Sequence, residues 1–270
     1  PISPGIPAAY TRDLIVLPYD SDAALEYIRD HAREIAAVFC EPVQNRNPGR
    51  VPAAFLRRLR DLTREHGVVL VFDEVVSGFR VAPGGVQELL GIRCDLACYG
   101  KALGGGYPIG CVAGSRELMA GVDGGTGLQP LARAQATYLA GTFSQHPLTM
   151  AACGAVLEHI ETHGATLFAE LNRRAAGLAL RLNTWWRDEE RLGLHIDVFG
   201  SMLRFRVPAR LSLPFFQTLL QQGVYCWEAR TCFLTTAHTP DDVDFIVEAC
   251  KRATRLLRAH GVELPAVDAE

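Results

Sequence analysis

The chain alternates short unbroken apolar runs with stretches whose apolar residues recur at helical spacing. Leu14 to Leu17 predicts a strand, and Asp22 to Ala32 a helix with Ser21 as its N-cap. Ile35 to Cys40 is a second apolar run. A Pro/Asn/Gly loop follows it, then a helix from Pro52 to His66 that Gly67 stops. Val68 to Phe72 is unbroken and ends on Asp73, as suits a strand buried on both faces of a parallel sheet. Asp95 to Tyr99 predicts another short strand, and Ile109 to Ala113 one more. Repeated strand-helix-strand order implies an α/β layer architecture, in which ligands sit beyond the carboxyl ends of strands. Glu41 and Asp73 are the acids at two such ends.

Gly121 to Gln135 is rich in glycine and small residues and predicts a long loop. A helix from Pro147 to Thr162, extending toward Trp186, leads into a different region. There His195 to Phe199 and Met202 to Val207 read as strands around a Gly200-Ser201 turn. A helix near Leu213 to Gln222, short strands and a last helix from Asp241 to His260 follow. The expected domain boundary lies near Ser144, dividing the chain into 1–144 and 145–270.

Charge narrows the function classes. The 270 residues carry 27 basic and 30 acidic side chains, a formal net charge of -3 with no basic run, so no nucleic-acid partner is expected. No apolar stretch approaches the ~20 residues of a membrane span, and the N-terminus lacks the features of a signal peptide. Eight cysteines without paired spacing read as reduced thiols rather than a disulfide framework, and a cytoplasmic protein is expected. The chain begins on Pro1, which reads as something other than the natural start of translation.

Several motifs fail on inspection. Gly100-Lys101 invites a phosphate loop, but Asp95 stands where the first glycine belongs and Ala102 where Ser or Thr should follow. His159 and His163 share a helix face, but Ile160 occupies the position of the metalloprotease glutamate. No Gly-x-Ser-x-Gly elbow is present. What survives is an aspartate ending one buried strand and a lysine in a glycine-rich loop after the next. The chain's only other lysine is Lys251. A tight, partly apolar setting keeps an amine neutral and nucleophilic. The alternative is that Asp73 caps a loop and Lys101 stands in solvent.

The string Val71-Phe72-Asp73-Glu74-Val75-Val76-Ser77-Gly78-Phe79-Arg80 resembles the signature of class III (ω-type) aminotransferases. So does Asp95 through Gly110, with Gly100-Lys101-Ala102-Leu103-Gly104-Gly105-Gly106 at its centre. Ala140-Gly141-Thr142-Phe143 followed by His146-Pro147-Leu148 is similar to a third family block, although Gln145-His146 replaces the commoner Gly-Asn. The resemblance spans essentially the whole chain. It is closest to the glutamate-1-semialdehyde aminomutase-like branch. Pro4-Gly5-Ile6-Pro7 and Gly223 through His238 further resemble aminotransferase domains of polyketide and nonribosomal peptide synthetases.

The resemblance implies a fold type I pyridoxal-phosphate transferase. This chain would hold the C-terminal part of the large, mainly parallel-sheet domain and a small α+β C-terminal domain. It implies pyridoxal 5'-phosphate as cofactor, Lys101 as the Schiff-base lysine and proton shuttle, and Asp73 as partner of the pyridine nitrogen. An acid there keeps the ring an electron sink. Val75 would pack on the ring face, or be a plain core valine. Glu41 would hydrogen-bond around the cofactor, or cap its own loop. Thr142 would donate to the cofactor phosphate across a homodimer interface, or simply end a strand. Arg230 falls where aminomutases of this group carry a glutamate. A guanidinium there would grip a substrate carboxylate, unless it forms only a surface salt bridge.

The expected partners are an amino-acid donor and a keto or aldehyde acceptor, a class that includes a β-keto acyl chain on a carrier protein. No metal is expected. The family's phosphate-holding Gly-Ser/Thr segment and ring-stacking aromatic have no counterpart here, which implies a longer parent polypeptide and an incomplete site. Two rival readings are an intramolecular aminomutase, against which Arg230 speaks, and a noncatalytic dimerisation or docking module, which has no use for both Lys101 and Asp73.

Overall fold

The computed structural model describes residues 3–123, 137, 139 and 141–267. Helix α1 (Asp22–Asp30) starts where Ser21 accepts the Ala24 N–H on its hydroxyl, at 3.1 Å. Helix α2 (Ala53–His66) ends at Gly67, whose φ of 69° supplies the left-handed cap. Between them runs strand β1 (Ala37–Cys40), and after α2 comes β2 (Val69–Asp73). Leu25, Ile28, Phe55, Leu56, Leu59 and Leu62 turn inward from the two helices onto Leu70 and Phe72 of β2. Helix α3 (Gly85–Leu90), β3 (Leu96–Gly100), β4 (Gly110–Gly114) and α4 (Arg116–Asp123) complete this part.

The sheet has the order β1-β2-β3-β4, with the first three strands parallel and β4 antiparallel to β3. The sheet is thus mainly parallel, as the alternation of apolar runs and helices predicts. Leu14 to Leu17 does not form the expected strand. Leu14, Ile15 and Val16 are exposed, Val16 at 94%, and Leu14, Ile15 and Leu17 line a groove of about 540 Å³ beside β1 and α2. An apolar run without a pairing partner has no ladder to join. The first three residues of the loop expected from Gly121 are helical instead, since α4 extends to Asp123; the remainder of that stretch lies outside the described residues.

Helix α5 (Pro147–Thr184) is one continuous element that closes in a π-helical turn, Trp185–Glu189. A second, antiparallel sheet follows: β5 (His195–Phe199), β6 (Met202–Arg206) and, after α6 (Ala209–Gln221), β7 (Cys232–Phe233). Helix α7 (Pro240–Ala259) opens with a capping box formed by Thr239 and Asp242. The end of α5, α6 and α7 enclose this sheet around Trp186, Phe205, Phe215 and Phe216, whose ring centroids lie 5.4 to 6.5 Å apart. Trp186 donates its indole N–H to the Thr254 hydroxyl at 3.1 Å, so the buried ring has no orphaned donor.

The two sheets meet through the segment after β2. Arg80 accepts the Ser201 hydroxyl and amide on its carbonyl at 3.0 and 3.3 Å, and Asn172 donates to the Val81 carbonyl at 2.9 Å. A small cluster of Val43, Val81, Ala82, Val86 and Met202 fills the space beneath.

Candidate active site

Parallel pairing sets three strand ends side by side. Cys40 pairs with Phe72, and Asp73 pairs with Cys98. Glu41 therefore follows the end of β1, Asp73 ends β2, and Lys101 follows the end of β3. The Glu74 amide extends the ladder by donating to the Cys98 carbonyl at 2.9 Å.

Asp73 is half-buried, and its Oδ1 accepts the Val75 amide at 3.0 Å. That bond is the loop-capping role open to any aspartate at a strand end. It leaves Oδ2 without a partner among the described residues. Val75 is half-buried and reaches toward the end of β3, with its Cγ1 3.5 Å from the space a Cβ on Gly100 would occupy.

Lys101 opens a short 3₁₀ turn, Lys101–Gly104, at φ 47°, a left-handed conformation unusual for a lysine. The turn is pinned from below: Leu103 is buried, and a Cβ on Gly105 (φ +58) would lie 2.9 Å from Val156 of α5. The side chain of Lys101 itself is exposed. This differs from the tight, partly apolar setting expected from sequence. The glycines press the backbone of the turn onto α5, while nothing among the described residues covers the amine.

Glu41 accepts from the Asn45 side chain at 2.6 Å and from the Asn45 amide at 3.3 Å, both on Oε1. It thus closes its own loop. Tyr19 donates its hydroxyl to the Glu41 and Pro42 carbonyls, each at 2.9 Å, and burial pushes that phenol well above the usual tyrosine range. Thr142 sits exposed in the turn before α5. Arg230 is exposed on the loop before β7, makes no ion pair among the described residues, and lies 5.1 Å from the Trp227 ring centroid.

Sequence reasoning missed Glu74. Its side chain is fully buried, next to Asp73, and accepts from the Ser77 hydroxyl (3.0 Å), the Val86 amide (2.9 Å) and the Gln87 amide (3.1 Å). One carboxylate thereby ties the end of β2 to the first turn of α3. Burial pushes its carboxyl up, against hydrogen bonds from Val86, Gln87 and Ser77 that pull it down. Arg80 was also passed over. It is held below the ordinary arginine range by burial, and its guanidinium lies 3.9 Å from the Phe233 ring centroid. The only trace of either residue in the sequence is its place in the block from Val71 to Arg80.

The family model for class-III aminotransferases matches residues 2–248. A glutamate-1-semialdehyde 2,1-aminomutase of Thermomicrobium roseum is 36% identical over 272 residues, covering 94% of this chain and 60% of that protein. Among solved structures, an omega-transaminase from Sphaerobacter thermophilus superposes with a TM-score of 0.85 at 30% identity, over 96% of this chain and 60% of its own. A beta-phenylalanine aminotransferase from Variovorax paradoxus gives 0.79 at 32% identity, over 94% and 59%. The chain therefore spans about 60% of the length of the curated relatives it matches. No helix among the described residues is long and apolar enough to cross a membrane.

Proposed function

From the premise that this chain belongs to the class-III aminotransferase family, we propose that its protein moves an amino group from an amino-acid donor to a keto or aldehyde acceptor. Members of the family use pyridoxal 5'-phosphate, and the donor set here suits that cofactor. A half-buried carboxylate with an unengaged oxygen and an exposed amine stand at the ends of neighbouring parallel strands, with an aliphatic side chain between them. That placement of Asp73, Lys101 and Val75 is the observation that carries the reading. When bound, the cofactor supplies a covalent attachment point for the amine and a ring that accepts electrons.

In this reading each residue has one task. Asp73, whose Oδ1 is fixed by the Val75 amide, would hold the pyridine nitrogen through its other oxygen and keep it protonated. Lys101 would hold the cofactor through its amine and would carry a proton to and from the reacting carbon. Val75 limits the ring's movement on one face. Glu41, held through Asn45, lends a second carboxylate near the ring. Arg230 engages a substrate carboxylate through its planar fork. Thr142 donates to the cofactor phosphate from a second copy of the chain. The exposed apolar residues Phe143, Leu148, Met150 and Leu157 before and along α5 support such a homodimer.

The acceptor class is the finer part of the proposal. The resemblance to synthetase domains, together with a structural relative that acts on a β-amino acid, favours a β-keto acyl acceptor, carrier-bound or free. The second reading is an intramolecular aminomutase, favoured by the name of the 36% identical relative. Nitrogen tracing separates the two. Full-length protein loaded with cofactor is given a donor with an isotopically labelled amine and, in separate reactions, an unlabelled β-keto acid or an unlabelled amino-aldehyde. Label in the new β-amino product supports intermolecular transfer. Amine migration within one molecule, with no label acquired from the donor, would replace it with the aminomutase reading.

A further inference from the structure

The loop that begins at Glu41 runs across the outer face of β5 and β6. Arg206 donates from Nη2 to the Asn47 side-chain oxygen at 2.6 Å, and the Thr231 hydroxyl donates to the Asn45 carbonyl. A Cβ on Gly49 would stand 2.8 Å from the Asp197 carboxyl carbon. These contacts bring three cationic side chains from separate elements to one place. Arg46 lies between Asn45 and Asn47. Arg230 precedes Thr231. Arg204 lies on β6 two residues before Arg206, so it shares that residue's face, opposite the buried Leu203 and Phe205.

The charges in this place are unbalanced. Asp197 is already engaged by Arg206 at 2.6 Å and lies 3.5 Å from His195. Among the described residues Arg46, Arg204 and Arg230 make no ion pair and no side-chain hydrogen bond, and Glu228 on the Arg230 loop pairs with none of them. Burial, then the charges of Arg206, Arg46 and Arg230, hold Arg204 below the ordinary arginine range, with Asp197 opposing. Guanidinium groups gathered with their forks unused are built for a carboxylate or phosphate. The place is continuous with the proposed active site, since Asn45 also donates to Glu41 at 2.6 Å.

We propose that Arg46 and Arg204, beside Arg230, form a subsite for a second anionic group of the substrate, so that the protein selects doubly over singly charged substrates. This rests on the aminotransferase reading for the identity of the first site. With Arg230 holding one carboxylate, a second anion between Arg46 and Arg204 relieves their mutual repulsion. The gain is made before any chemistry and is therefore visible in binding alone.

The test is calorimetric binding to the full-length, cofactor-loaded protein at constant ionic strength, because salt screens exposed charges. The probes are glutarate, with two carboxylates and no amine, butyrate with one, and inorganic phosphate. Glutarate is expected to bind at least about tenfold more tightly than butyrate, as an added charge-assisted bidentate contact supplies. Arg204→Met and Arg46→Met should each remove most of that preference, and Arg204→Lys should restore only part of it. Should Arg204→Met fail to fold, Arg46→Met on its exposed loop decides. Phosphate binding more tightly than glutarate, and lost in the same variants, supports the subsite and assigns a phosphate-bearing substrate. Equal binding of glutarate and butyrate, with phosphate binding unchanged in both variants, overturns the proposal. A protein that discriminates glutarate but fails to transfer labelled nitrogen keeps the subsite and loses the aminotransferase reading.

Discussion

Replacing Glu74 by alanine tests how the end of β2 is held. The carboxylate has no exposed surface and accepts three hydrogen bonds, from the Ser77 hydroxyl and the Val86 and Gln87 amides. Alanine leaves two buried donors and one half-buried donor facing an apolar gap, at roughly 1–3 kcal/mol for each that water does not reach. Removing a carboxyl whose burial disfavours its charge returns some of this, and a net loss of about 3 kcal/mol is expected. With a urea m-value of about 3 kcal/mol/M, the unfolding midpoint falls by about 1 M at unchanged slope. Glu74→Gln keeps the shape and loses less, because the amide oxygen can serve Ser77 and Val86 while its NH₂ meets the Gln87 donor.

Titration adds a signed test of the same residue. Its folded pKa is raised, chiefly by burial. A carboxyl raised on folding contributes stability that is whole below the unfolded value of about 4.3 and is lost as pH climbs through the folded value. Glutamine does not titrate. The stability of wild type relative to Glu74→Gln should therefore be greatest in mild acid and decline as pH rises. An alanine variant whose midpoint stays within about 0.2 M of wild type, or a wild-type advantage over glutamine that grows with pH, refutes the reasoning.

Two further changes probe the scaffold. Asp95 accepts from Arg60 and from the Leu70 amide, each at 2.8 Å, where β3 begins. Burial raises its pKa, but the Arg60 and Leu70 hydrogen bonds and the Arg60 and Arg64 charges bring it below the ordinary range. Its stabilisation is thus present above about pH 3.9 and lost as pH falls through the lower folded value. Asp95→Asn should cost about 2 kcal/mol at neutral pH, discounted for the partly exposed carboxylate, and should flatten the acid limb of a stability-pH curve measured in urea. Gly105→Ala places a methyl 2.9 Å from Val156 at φ +58. We expect a loss of about 1–2 kcal/mol, and weaker cofactor retention on dialysis because the Lys101 turn is displaced.

Legibility in the sequence followed the range of the forces involved. Helix α2 and β2 could be read locally, from amphipathic spacing, a stopping glycine and an unbroken apolar run. Helix α3 gave no such sign. It has six residues, begins on a glycine, and is held by Glu74 twelve residues earlier. The apolar run at Leu14 misled for the converse reason, since strand propensity without a neighbour leaves a solvated segment. The antiparallel course of β4 was also invisible, because pairing direction is set across the sheet. Glu41, Asp73 and Lys101 could be placed at strand ends from the sequence, whereas the exposure of Lys101 and the loop-closing bond of Glu41 are set by tertiary neighbours. Nothing in the local pattern announced that Arg46, Arg204 and Arg230 converge, since they are brought together by Asn45, Asn47 and Thr231.

In the proposed function the cofactor attaches to Lys101. Full-length protein loaded with pyridoxal 5'-phosphate is reduced with borohydride, digested, and the modified peptide mapped by mass spectrometry. A pyridoxyl group is expected on Lys101, absent in Lys101→Ala, with Lys251 unmodified. A folded, cofactor-exposed protein that carries no label at Lys101, or carries it elsewhere, would show that Lys101 is not the attachment point.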